Sequence, residues 1–148
     1  MIRPGAIIPI KGITPEKAHE DDAAYDLTAI ISWPHFTLER FEWATIPTGV
    51  FAAIPEGHVG MVCSRSGMAS TRGLFVLNAP GIVDPSYRGE IKVVLMNLGT
   101  GKAVLKSGDR IAQLLIVPTT TAIFFNDARH FDSLDTLRGK DGFGSTDT

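Results

Sequence analysis

The sequence predicts an all-β fold, a sandwich or a barrel, on three observations. Gly and Pro punctuate the chain at short intervals, from Pro47, Gly49, Pro55 and Gly57 through Pro80 and Gly81 to Gly108 and Pro118. Short runs of β-forming residues lie between these breakers, the pattern of closely spaced strands and turns. The run EIKVVLMNL is apolar on both faces of the strand it would form, as expected where both faces are covered.

Taken in order, the expected strands are Thr48–Ile54, His58–Cys63, Leu74–Leu77, Glu90–Leu98, Arg110–Val117 and Thr121–Phe125. One short helix is expected around Met68–Arg72, after the Ser-Gly pair. No internal repeat and no low-complexity linker interrupts residues 1–125, which read as one domain. From Asn126 to Thr148 the chain is mostly polar, with too few apolar residues to join a core. That stretch, 126–148, reads as a frayed tail unless anchor residues tie it down. Arg138, Phe143 and Ser145 are candidate anchors.

Composition narrows the function. A chain of 148 residues with 44% hydrophobic content suits one compact domain with a real core. The net charge of −2 gives no global basic field for a nucleic acid polymer, so a few placed residues must bind any anionic substrate. Cys63 stands alone, so no intrachain disulfide forms, and a reducing cytoplasm is the simplest home. The opening MIRPGAIIPIKG has an apolar patch broken by Pro4 and Pro9, too short for a signal peptide or membrane span. The expectation is a soluble, cytosolic protein. His19, His35, His58 and His130 show no ligand spacing and read as surface or loop residues.

Five segments carry the chemistry: AAYDLTA (Ala23–Ala29), SRSGMA (Ser64–Ala69), LNAPGIVDPSYRGE (Leu77–Glu90), GDRIAQLLI (Gly108–Ile116) and RGKDGFGSTD (Arg138–Asp147). Each alone is weak, because Ser-Gly and Gly-Asp pairs are common in turns. In this order they resemble the five motifs of the trimeric dUTPase family, and they span nearly the whole chain. The resemblance implies a jelly-roll-like distorted β-barrel, a homotrimer with active sites shared between subunits, and Mg²⁺. It implies hydrolysis of dUTP to dUMP and pyrophosphate, which limits uracil in DNA and supplies dUMP for thymidylate synthesis. Residues 126–148 become, by the same resemblance, a mobile arm closing over a neighbouring subunit's site.

The residues suit those roles. The third motif would form a hairpin receiving deoxyuridine. Main-chain groups at Ile82 and Val83 can match the acceptor–donor–acceptor edge of uracil, and the Asn78 amide supplies both a donor and an acceptor. Cytosine would leave buried polar groups mispaired, which discriminates strongly. Tyr87 resembles the family tyrosine that stacks under the deoxyribose and leaves no space for a 2′-hydroxyl. Asp84 would orient and partly deprotonate the attacking water in line with the departing pyrophosphate. An Asp before Pro85 is also a common turn pattern.

The second and fourth motifs would hold phosphate. Arg65 offers a planar fork of donors, Ser66 a hydroxyl and an amide, and Gly67 close backbone approach. Gln113 is polar within an apolar strand; it either contacts phosphate or faces water. Arg110 could be an intersubunit salt-bridge partner and is not assigned to the substrate. Lys92 could contact the nucleotide or face solvent. Asp26 would act on Mg²⁺ indirectly, through water, or orient the phosphate ligands. Mg²⁺ usually binds through substrate phosphates and keeps several waters.

In the fifth motif Phe143 would stack on uracil. Arg138, Ser145 and Thr146 would hold the terminal phosphates, with Gly142 and Gly144 giving flexibility. Three positions depart from the family pattern: Asp141 where a second glycine is usual, Ala24 for glycine, and Ser64 for proline.

Two rival readings use the same chain. A dCTP deaminase, or a bifunctional deaminase–dUTPase, needs an added acid/base near the pyrimidine amino group; the complete fifth motif and the short chain argue against it. A nucleotide-switched protein-binding module would use a partner surface. The aromatic stretch Ile30–Glu42 either provides one or packs beneath the sheet.

Overall fold

The computed structural model describes residues 7–32, 34–120 and 122–134, and it is built almost wholly from antiparallel strands. The strands are β1 (Ile10–Gly12), β2 (Tyr25–Thr28), β3 (Phe36–Leu38), β4 (Trp43–Ile46), β5 (Val50–Ala52), β6 (His58–Cys63), β7 (Leu74–Val76), β8 (Gly81–Val83), β9 (Val93–Asn97), β10 (Ala103–Leu105) and β11 (Arg110–Pro118). Two short helices, α1 (Ser66–Arg72) and α2 (Ala128–Ser133), complete the set. The strands form a four-stranded sheet ordered β2-β11-β6-β8, a three-stranded sheet β4-β9-β7, and the pairs β1-β5 and β10-β3. This is the jelly-roll-like all-β arrangement expected.

Alternation makes the core. Side chains on a strand point to opposite faces in turn, and the central strands send their apolar set inward. On β9, Val93, Leu95 and Asn97 are buried while Val94 and Met96 are half-buried. On β11, Ile111, Ala112 and Leu114 are buried. With Leu27, Leu38, Ile54, Leu74 and Leu105 they form one cluster. Full burial of each such Leu or Ile stabilises by about 1.5–3 kcal/mol.

Two buried polar residues lock the connections. Asn97 is fully buried; its Nδ2 donates to the carbonyls of Leu38 and Gly101, and its Oδ1 accepts from Gly99 N. Thr48 is also fully buried and donates through Oγ1 to the carbonyl of Ile91. Both satisfy the rule that buried polar groups are paired.

Helix α1 stops at Gly73, which adopts φ 65° and donates its N–H back to the carbonyls of Ala69 and Met68. A Cβ on Gly73 would lie 2.4 Å from Gly99 Cα, and one on Gly99 would lie 2.6 Å from the Arg72 carbonyl oxygen. The helix end and the β9–β10 turn therefore touch backbone to backbone, and Leu98 N donates to Gly73 O at 2.8 Å.

Several expectations change. The helix begins at Ser66, two residues before Met68, because Arg65 already takes the extended N-cap conformation. Residues 122–125 form no strand: Ile123 and Phe124 are 86% and 98% exposed, and no described strand pairs with them. A second helix, α2, lies within the stretch read as polar arm, capped by Asp127 accepting from His130 N. His130 thus sits on an exposed helix, and His58 opens β6 half-buried. Within Ile30–Glu42, Leu38 is buried and Phe36 packs against the core, whereas Phe41 is exposed; Trp33 lies outside the described residues. Strands β1–β4 and β10 were not expected, each being only three or four residues long.

Candidate active site

The first part of the site is a row of side chains on the outer face of the four-stranded sheet. Strand β11 is central, so Gln113 stands beside Asp26 of β2 on one side and Cys63 of β6 on the other. Its neighbours Ala112 and Leu114 point into the core, and alternation puts Gln113 outward. Next to this row the chain leaves β6 at Ser64 and enters α1 at Ser66. Asp26, Arg65, Ser66, Gly67, Thr71 and Gln113 line a cleft of about 440 Å³ there.

Asp26 organises that cleft. Its Oδ1 lies 2.8 Å from Arg65 Nε, and its Oδ2 accepts from Arg110 Nη1 at 3.2 Å. Arg65 Nη1 donates to the Arg110 carbonyl at 3.2 Å. One carboxylate between two guanidinium groups leaves the cluster with one net positive charge. Both Asp26 and Arg65 are largely covered, so water screens their attraction less than at an open surface. Gln113 Nε2 donates to the Ser64 carbonyl at 2.9 Å, and Ser64 Oγ accepts from Val76 N at 2.9 Å. Nothing lies within 4 Å of where a Cβ of Gly67 would stand, so its backbone is open to a ligand. An anion, held by Arg65 and the amides of the first helical turn, is what this arrangement can bind.

The second part surrounds β8. This strand pairs with β6 through Gly60↔Val83, Met61↔Ile82 and Val62↔Gly81 and is the sheet's edge. Half of its main-chain donors and acceptors therefore point away from β6. Asn78, Gly81, Ile82, Val83, Tyr87 and Lys92 line a depression of about 180 Å³. The Asn78 amide sits over Gly81, where a Cβ would come within 3.1 Å of Nδ2. After β8 the chain turns at Asp84, whose carbonyl accepts from Tyr87 N. The expected hairpin is thus a single edge strand followed by a turn and an extended return, because Pro85 and Gly89 break the second rung. Tyr87 donates through Oη to the Glu90 carbonyl at 2.9 Å, and its ring lies against Gly89, where a Cβ would meet Oη at 2.4 Å. Lys92 is exposed, 3.8 Å from Glu90 Oε2. Asp84 is exposed and lines neither depression.

Within one chain the two parts share no lining residue. Asp26, Arg65, Ser66, Gly67 and Gln113 come together; Asn78, Ile82, Val83, Tyr87 and Lys92 come together; the sets stay apart. Arg138, Phe143, Gly144, Ser145 and Thr146 lie outside the described residues. Arg110 pairs with Asp26 of its own chain, from a strand position where a β-bulge interrupts the β11–β2 register. Residue-type reasoning missed Ser64 and Glu90; the only signal for Ser64 was its departure from proline. Among the described residues no group of three His, Cys, Asp or Glu could hold a metal ion, and no helix is long and apolar enough to cross a membrane.

Comparison with known proteins agrees with this geometry. The dUTPase family model matches residues 11–147. The deoxyuridine 5'-triphosphate nucleotidohydrolase of Leifsonia xyli is 46% identical over 134 residues, covering 89% of this chain and 84% of that protein. The enzyme of the same name from Bifidobacterium longum is 45% identical, covering 93% of this chain and 87% of its own. A mutant dUTPase of Staphylococcus bacteriophage 80alpha, solved with dUpNHpp, superposes with a TM-score of 0.83 at 28% identity, covering 95% of this chain and 98% of that one. The phage phi11 dUTPase, a mutant solved to describe coordination of a structural Mg(II) ion, gives a TM-score of 0.74 at 27% identity, covering 83% and 97%. A family model spanning both depressions, together with relatives this similar over most of the chain, establishes that this chain belongs to the dUTPase family.

Proposed function

We propose that this chain is a dUTP diphosphatase, hydrolysing dUTP to dUMP and pyrophosphate by in-line attack of water on the α-phosphorus. The observation that carries the reading is the Asp26–Arg65–Gln113 row beside an open Gly67 backbone, in a chain whose family match runs from residue 11 to 147. That row is a triphosphate receptor. Asp26 repels phosphate, and its use is to hold Arg65 in place. Arg65 supplies the charge-assisted donors.

The edge strand β8 receives uracil through its free main-chain groups, with Asn78 completing the pairing. Tyr87 carries the deoxyribose and Lys92 lies beside it. Asp84 orients the water and accepts its proton. An ordinary Asp is a weak base at neutral pH, so positioning and charge stabilisation provide most of the acceleration.

The two depressions complete one another across a homotrimer, in which one chain's Arg65 cleft faces the partner's β8. Residues 126–148 act as an arm over the site, Phe143 stacking on the base and Arg138, Gly144, Ser145 and Thr146 enclosing the phosphates. Closure excludes competing water. Mg²⁺ would arrive on the triphosphate, with Asp26 holding one of its waters. When bound, Mg²⁺ supplies charge neutralisation on the phosphate oxygens. The single cysteine suits a cytoplasmic setting.

A substrate panel tests the reading. Pyrophosphate release with Mg²⁺ is measured for dUTP, dCTP, dTTP and UTP; dUTP alone should turn over efficiently. Comparable turnover of dCTP would sink the uracil assignment.

A further inference from the structure

The last residue of the third motif, Glu90, is tied into the fold through both its side chain and its main chain. The Glu90 side chain turns inward, only 18% exposed. Its Oε1 accepts two main-chain amides of the β4–β5 turn, Thr48 N at 3.0 Å and Gly49 N at 2.8 Å. A carboxylate accepting two N–H groups is a strong, directional clasp. The same stretch is tied twice more: Ile91 N donates to the Val50 carbonyl at 2.8 Å, and buried Thr48 donates to the Ile91 carbonyl. The main-chain carbonyl of Glu90, fixed by this clasp, is the acceptor of the Tyr87 hydroxyl at 2.9 Å. Tyr87 itself is 44% exposed, so packing does not hold its ring from outside. What fixes the ring is that hydroxyl bond below and the bare Gly89 backbone beside it.

We propose that Glu90 is a positioning residue for discrimination between deoxyribose and ribose, clasping the Thr48–Gly49 turn so that its carbonyl pins the Tyr87 ring. The inference rests on the reading of Tyr87 as the sugar platform. A ring free to tilt gives a 2′-hydroxyl room. The loss therefore appears as admission of UTP, and a general decline would cut both substrates alike.

The experiment measures kcat/KM for dUTP and for UTP, with urea unfolding, in the full-length wild type and in Glu90→Ala, Glu90→Gln, Tyr87→Phe and Tyr87→Ala. Loss of one anchoring bond should lower the dUTP:UTP ratio about tenfold in Glu90→Ala and in Tyr87→Phe. Glu90→Gln keeps an acceptor for both amides and should restore the ratio to within about threefold of wild type. Tyr87→Phe removes only the hydroxyl, so an unchanged ratio there overturns the pinning of the ring even where Glu90→Ala unfolds. An unchanged ratio in folded Glu90→Ala or in Tyr87→Phe, while Tyr87→Ala collapses it, overturns the Glu90 role and leaves the platform standing. An unchanged ratio in Tyr87→Ala removes the platform and the inference with it.

Discussion

Asp26 Oδ1 and Arg65 Nε lie 2.8 Å apart, joining a β2 carboxylate to the residue that caps α1. The pair links the sheet to the cleft proposed to hold phosphate, and Arg110 shares the same carboxylate. Asp26→Asn keeps the shape but removes the charge that holds both guanidinium groups. KM for dUTP should rise by about ten- to thirtyfold, with a stability loss of about 1–2 kcal/mol from a partly covered pair. Steady-state kinetics and urea unfolding read the two effects separately. A wild-type KM would show that Arg65 needs no such support.

Asp84 is exposed and makes no side-chain hydrogen bond among the described residues. Asp84→Asn should therefore leave unfolding unchanged. With the proposed proton acceptor gone, kcat should fall by about 10²–10⁴-fold, while calorimetric binding of a non-hydrolysable dUTP analogue stays within a few-fold. Near wild-type turnover would make Asp84 a turn residue.

The separation of the two depressions gives a complementation test. Arg65→Ala and Asp84→Asn should each be inactive alone. Co-assembled in equal amounts as trimers with shared sites, roughly a quarter of sites regain both intact groups. Recovery near that level is expected in a pyrophosphate assay; no recovery would place both groups in one chain's own site.

Deleting the chain after Leu137 removes the fifth motif. The truncated protein should retain its melting transition, because among the described residues the core cluster and the side chains packed on it end at Ile116 of β11. Hydrolysis should fall by at least about 10²-fold if the segment closes over the site as proposed. Loss of folding would make the segment structural.

Asn97 offers a stability test away from the chemistry. Asn97→Leu strands the carbonyls of Leu38 and Gly101 and the amide of Gly99. A destabilisation of about 2–4 kcal/mol is expected, read by urea unfolding. Activity per folded molecule should persist.

The sequence made legible what alternation and punctuation control. His58–Cys63 was bounded correctly because Gly57 precedes it and its apolar set has a partner strand; β11 came within one residue for the same reason. Thr121–Phe125 has equal β propensity but no described partner, and propensity alone does not make a strand. Short strands such as β1 and β3 escape because three residues hold too little pattern. In the site, residue types pointed to Arg65, Gln113 and Tyr87 but not to their support. Ser64 and Glu90 act through main-chain partners 12 and about 40 residues away, separations that leave no local trace.

The contact between Gly73 and Gly99 carries a consequence for how such a chain can change. Gly73 is closed to a side chain by the Gly99 backbone, and Gly99 by the Arg72 carbonyl, so a side chain at either forces the backbone to shift. The approach of α1 to the β9–β10 turn is in effect inherited as a fixed length. Descendants of this sequence can alter the nucleotide they accept by editing the loops at Ser64–Gly67 and Asn78–Glu90. They cannot readily do so by sliding the helix, because no single step on that path avoids a collision.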